Sequence, residues 1–184
     1  MPKRFSVIAP IIIATAVLAG CPKQQGPAPV GVDLPREQRL DPKTETEVAR
    51  LLEDLRGTDY LARVKAEDEL KKLMAAADPD VRAKMARYVI PVLSEPQWGV
   101  RAIGLKLLMA HGGNCPEAVA ELVQVLGDMN INAPMRDAVA RTLARWTGDS
   151  LGYNAFDVEP RVKAAAARWK KWLEETGGRI PVKR

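Results

Sequence analysis

The chain is poor in the residues that build most catalytic and metal centres. Among its 184 residues there is one histidine, His111, and there are two cysteines, Cys21 and Cys115. A histidine-rich metal site and a disulfide scaffold are therefore excluded. Aromatic residues make up 5% of the sequence, too few for the strands of a β-sandwich or barrel. There is no Gly-x-Ser-x-Gly elbow, no phosphate-binding Gly-rich loop and no Cys-His nucleophile pair. No catalytic residue, metal ligand or cofactor site is assigned, and the chain is not read as an enzyme. An excess of one charge is lacking too. Twenty-eight Lys and Arg stand against 23 Asp and Glu, a formal +5, which is a solubility feature and not a nucleic-acid footprint.

What is present begins with an address. Lys3 and Arg4 precede an uncharged run of 16 residues from Phe5 to Gly20, interrupted by Pro10. A spanning helix needs about 20 apolar residues, so residues 1–20 read as a secretory signal. The run ends in Leu18-Ala19-Gly20-Cys21, which resembles the lipobox of bacterial lipoproteins. The resemblance implies cleavage between Gly20 and Cys21, a diacylglycerol on the Cys21 thiol and an N-acyl chain on the new amino group. Two or more acyl chains are what stable anchoring requires. Cleavage removes Lys3 and Arg4 and lowers the formal charge from +5 to +3. The family's sorting rule reads the next residue. Pro22 there, in place of Asp, favours the outer over the inner membrane of the bacterial envelope.

Residues 22–42 hold five prolines and no helical period, so residues 21–43 are expected to be an extended tether between lipid and domain. At roughly 3.1 Å per residue it spans on the order of 60 Å.

From residue 44 to 176 the sequence reads as about seven helices. Val48, Leu51, Leu52 and Leu55 lie on one face of a 3.6-residue period, and comparable faces recur through Val162, Ala165, Ala166 and Trp169. Asp59 and the Asp78-Pro79 pair are N-terminal caps, and Pro91 kinks or ends the third helix. No stretch alternates as a strand. The fold class is all-α, followed by a short basic tail at 177–184.

Three helices begin alike: Arg63-x-x-Ala66-x-x-x-Leu70, Arg101-x-x-Gly104-x-x-x-Leu108 and Arg136-x-x-Val139-x-x-x-Leu143, spaced 38 and 35 residues apart. That period is the signature of stacked helix pairs. With Asp78-Pro79-Asp80-Val81-Arg82-Ala83-Lys84-Met85-Ala86 and the tail that runs from Trp146-Thr147-Gly148 through Gly152-Tyr153-Asn154, these motifs resemble HEAT repeats, although Asn154 stands where Asp more often follows the tyrosine. The resemblance implies a short α-solenoid, whose usual work is to bind another protein along its concave side. Some HEAT-like enzymes carry a di-iron site on paired His-Glu motifs, which His111 alone cannot build.

Several residues admit two readings. In solenoids of this type the second helix of each pair lines the concave side. On that basis Arg101, Lys106, Arg141 and Arg145 form either a basic stripe for an acidic partner, anionic glycan or lipid, or ordinary helix-surface charge. Trp98, beside the Pro96 turn, is a candidate contact residue. Trp169 and Trp172 flank Lys170-Lys171 and read as core or as a membrane-interface pair. Glu67–Lys71 and Asp68–Lys72 are i,i+4 ion pairs. Cys115, ahead of Pro116, is either a thiol activated at a helix N-terminus or a small residue packed at a turn. The chain is thus expected to serve an envelope protein partner.

The lipobox reading has a direct test. Cys21→Ser should leave the precursor uncut at this site and free of radiolabelled acyl chains; continued labelling refutes the assignment.

Overall fold

The computed structural model describes residues 34–180, so Gly20 and Cys21 lie outside the described residues. All regular structure within that range is helical. Seven α-helices follow one another: α1 (Pro42–Arg56), α2 (Tyr60–Ala76), α3 (Pro79–Val89), α4 (Trp98–His111), α5 (Pro116–Gly127), α6 (Ala133–Thr147) and α7 (Glu159–Thr176). Short 3-10 turns occupy Arg36–Gln38, Ile90–Ser94 and Gly112–Asn114. The chain is all-α across this range.

The helices start where side chains satisfy their first N–H groups. Asp41 accepts from Lys43 and Thr44, Asp59 from Leu61 and Ala62, Asp78 from Asp80 and Val81, and Asn132 from Met135. Pro91 ends α3 as expected, and the chain tightens into the Ile90–Ser94 turn. Gly148 closes α6 in the left-handed region at φ 87°.

Packing follows the sequence order. α1 lies against α2, α3 against α4 and α5 against α6. Each odd-numbered helix also meets the next, α1 with α3, α3 with α5 and α5 with α7, while α2 meets α4. The faces read from the period are the core: Val48, Leu51, Leu52 and Leu55 of α1 are all buried. Trp169 is fully buried, donates its ring N–H to the Ser150 carbonyl at 3.2 Å and meets Trp172 edge-on at 5.5 Å. α4 approaches the Ile90–Ser94 turn so closely that a Cβ at Gly104 would sit 3.0 Å from Val92 Cγ1.

The domain starts earlier than the proline content suggested. Leu40 is buried, Leu34 packs against the core, and Arg39 donates to the Leu34 carbonyl at 3.0 Å. The Arg36–Gln38 turn brings these two leucines to one side, so the last residues of the expected tether belong to the domain. At the other end, Ile180 also packs against the core.

An arginine stands at the fourth residue of α2, α3, α4 and α6: Arg63, Arg82, Arg101 and Arg136. Two of them hold main-chain carbonyls: Arg82 those at the end of α2, where a cation is favoured, and Arg136 those of the loops before and after α6. Arg82 donates to Met74 at 2.9 Å and Ala77 at 2.7 Å. Arg136 donates to Ile131 at 2.6 Å, Asp128 at 3.4 Å and Ala155 at 3.4 Å, and is 5% exposed. Arg63 reaches sideways to the side chain of Gln97, the residue preceding α4, at 3.3 Å.

Arg136→Met keeps the apolar stem but strips these carbonyls of their donor. It should cost about 2–3 kcal/mol and lower Tm by on the order of 5–10 °C in thermal denaturation followed by circular dichroism. Exposed Arg141→Ala should cost under about 0.5 kcal/mol, and equal losses for the two would contradict the capping role.

Candidate functional site: a notch between the fourth and fifth helices

Arg101 is the exception among the four arginines. None of its side-chain nitrogens makes a hydrogen bond among the described residues, and its Nε is buried; the Arg136 Nε is buried without a partner too, but the other Arg136 side-chain nitrogens hold three carbonyls. The guanidinium lies instead over the Trp98 ring, 5.3 Å from the centroid, a cation–π arrangement. Trp98, Arg101 and Leu105 fall at offsets 0, 3 and 7 and share one face of α4. Glu121, Gln124 and Asp128 repeat that spacing along α5 and at its end, opposite them. Together with Leu93 and Ile131 these residues bound a notch of about 210 Å³.

The lining mixes one cation, two carboxylates and an apolar floor. A second anion entering here would meet Glu121 and Asp128, so the unsatisfied guanidinium is matched by a neutral acceptor such as a peptide carbonyl. Arg63 joins the first turn of α2 to Gln97, directly before Trp98. On α2 Tyr60 is 68% exposed, Leu61 75% and Val64 46%.

Of the five residues singled out on the sequence, the structure brings Trp98 and Arg101 together. Lys106 is five positions after Arg101, about 140° round the helix, and pairs with Glu67 of α2 at 3.9 Å. Arg141 pairs with Asp137 on its own helix at 3.0 Å. Arg145 lines a different cleft with His111 and Trp146. The expected pairs Glu67–Lys71 and Asp68–Lys72 are present at 3.6 and 2.6 Å. Sequence reasoning missed Glu121, Gln124 and Asp128. Their signal was present as a polar row alongside the apolar face of Val119, Leu122, Val123 and Leu126.

Cys115 resolves toward the packed reading. It is fully buried, and its Sγ donates to Glu117 at 3.2 Å. Burial, more than any other cause, pushes the thiol up to about 11, with the Glu117 carboxylate acting in the same direction. These effects outweigh the start of α5, which on its own would lower it. Among the described residues no group of three His, Cys, Asp or Glu side chains converges on a metal position, and no helix is long and apolar enough to cross a membrane.

Comparison with family models, with curated proteins and with solved structures finds no match to this chain.

The raised thiol has a measurable consequence. At pH 8, below about 11, Cys115 is held as the neutral thiol, so in a Cys21→Ser chain a disulfide reagent should label it on the order of a hundredfold more slowly in the native state than in strong denaturant. Equal rates would show an exposed, ionised sulfur.

Proposed function

We propose that this protein is a lipid-anchored adaptor of the bacterial envelope, whose HEAT-like helical stack holds a partner protein at the membrane surface. The lipobox Leu18-Ala19-Gly20-Cys21 and the proline-rich segment after it support the anchoring, with the outer membrane favoured by Pro22. The repeat of helix starts at Arg63, Arg101 and Arg136 supports the solenoid, together with the helix-on-helix order of packing.

The observation that carries the binding role is the unpartnered Arg101 at the Trp98 notch. Arg63, Arg82 and Arg136 bond carbonyl or amide oxygens of this chain; Arg101 has none and lies at a surface opening. A partner segment that offers a main-chain carbonyl to Arg101 and an apolar side chain to Leu93, Leu105 and Trp98 completes the site. Trp and Arg are the residue types that most often dominate such interfaces.

A binder of anionic glycan or lipid through one basic stripe is the weaker reading, because Lys106 and Arg141 are already paired with Glu67 and Asp137.

The test is site-specific photocrosslinking in cells. A photoreactive residue at position 98 should yield one discrete protein adduct, which Arg101→Ala abolishes and which a probe at Lys163 on α7 does not form. Identical adducts from both positions, or none at position 98, would overturn the reading.

A further inference from the structure

A second cleft lies apart from the notch and has the opposite chemistry. The end of α4, the Gly112–Asn114 turn, the start of α3 and the end of α6 surround a space of about 320 Å³. Arg82, His111 and Arg145 line it, with Asn114 as a further polar group and Trp146 and Ile180 as its apolar wall. Gly113, Asn114 and Ile180 continue into an adjoining hollow that adds Arg179. Among the described residues no carboxylate lines either space.

Three features make this arrangement more than surface charge. First, Arg82 is fixed: its Nε and one Nη hold the Met74 and Ala77 carbonyls, which are neutral, so its charge has no carboxylate to balance it. A cation oriented by bonds to the backbone loses little freedom when it takes an anion. Second, the Trp146 wall is built tightly, since a Cβ at Gly113 would sit 3.2 Å from the indole. Third, the imidazole of His111 stands in a field of cations. Burial first, then Arg82, then Lys71 hold it below the ordinary imidazole range. The charged groups that act on it are Arg82 from α3 and Lys71 from α2, and Arg145 from α6 shares its cleft.

We infer that this cleft binds a phosphoryl group, either as the free ion or on a small ester whose carbon skeleton rests on Trp146 and Ile180. Guanidinium groups and an imidazole approaching from several elements suit a tetrahedral dianion, which accepts charge-assisted hydrogen bonds on several oxygens. The space exceeds a bare phosphate and leaves room for a short organic group. The site is independent of the Trp98 notch and stands or falls apart from the adaptor reading.

Because His111 is the only histidine, its ring signal reports on the cleft without assignment. In the full chain, held in a phosphate-free detergent and labelled with 13C-histidine, the ring titration is followed by NMR with inorganic phosphate, glycerol 3-phosphate or acetate at matched ionic strength. Phosphate or its ester should bind saturably and raise the His111 midpoint by about one pH unit, as a neighbouring anion favours the imidazolium. Arg145→Gln with Arg179→Gln should weaken binding roughly tenfold, whereas Arg141→Gln, on the same helix but outside the cleft, should leave it unchanged. Tighter binding of glycerol 3-phosphate assigns the site to an ester, and equal binding assigns it to the free ion. No saturable effect of phosphate, an equal effect of acetate, or an equal loss in Arg141→Gln would each overturn the proposal. Arg82 is left intact in these variants because it also caps α2.

Discussion

The guanidinium group four residues into a helix is the contact on which the connections between helices depend. A helix end leaves carbonyls that nothing in its own ladder can satisfy, and a domain of seven helices joined by short loops has many such ends in its interior. At the two best-defined junctions the following helix supplies the donor. Arg82 does so for the end of α2 and Arg136 for the segment after α5, each one turn inside a helix whose first turn is secured by Asp78 or Asn132. The cap sets the direction in which the new helix leaves, and the arginine ties that direction to the helix behind it. Burial of Val48, Leu70, Leu107, Leu122, Leu143 and Trp169 then contributes the bulk of the stabilisation, but it does not by itself choose an angle between helices.

Much of this was legible from the residues. The apolar period marks all seven helices because an amphipathic helix on a core needs only its stripe to be recognised, and Asp59 and Asp78 announce their helix starts by chemistry that is local. The arginine repeat was visible too, although the spacing 63, 101, 136 leaves out Arg82, which like Arg136 holds main-chain carbonyls. What was not legible depends on positions distant in sequence. Leu34 and Leu40 read as tether because proline dominates that stretch, and only the turn at Arg36–Gln38 brings both leucines against the core. Arg101 and Lys106 were grouped by charge, yet helical geometry sends one to α5 and the other to Glu67 of α2. Cys115 was ambiguous for a similar reason. A helix N-terminus can be read from Cys115-Pro116, whereas the burial that overrides it cannot.

The two openings differ in a way that charge counting along the chain does not reveal. The notch of Trp98 and Arg101 sets its cation against Glu121 and Asp128, so its field is nearly balanced and its distinguishing feature is an unsatisfied donor beside an aromatic ring. The cleft of Arg82, His111 and Arg145 has no acid among the described residues of its lining, and burial, then the Arg82 and Lys71 charges, hold the imidazole pKa below its ordinary range. A nearly balanced site with a missing acceptor selects for the shape and hydrogen bonding of a peptide. An unbalanced basic one selects for charge. The near-neutral composition of the whole chain conceals both, because the acidic residues concentrate in surface pairs such as Asp68–Lys72 and Glu159–Lys163.

The position of the notch within the stack follows from the same rule that holds the helices together. α4 is the only one of the four arginine-bearing helices whose start has no side-chain cap: Gln97 makes no capping bond, and its amide oxygen is taken by Arg63. The turn behind it, Ile90–Ser94, is pressed against Gly104 and lines the notch with Leu93 and Ser94, but gives Arg101 no hydrogen bond. With no carbonyl of its own chain in reach, the Arg101 guanidinium settles over Trp98, which lowers the cost of its partial burial but leaves Nε without an acceptor. A buried donor in that state costs on the order of 1–3 kcal/mol, which any ligand that supplies an oxygen recovers on binding. Arg136 also carries a buried, unpartnered Nε, but its other side-chain nitrogens are anchored on carbonyls of this chain; Arg101 has no such anchor and sits at a surface opening, where an external contact can form.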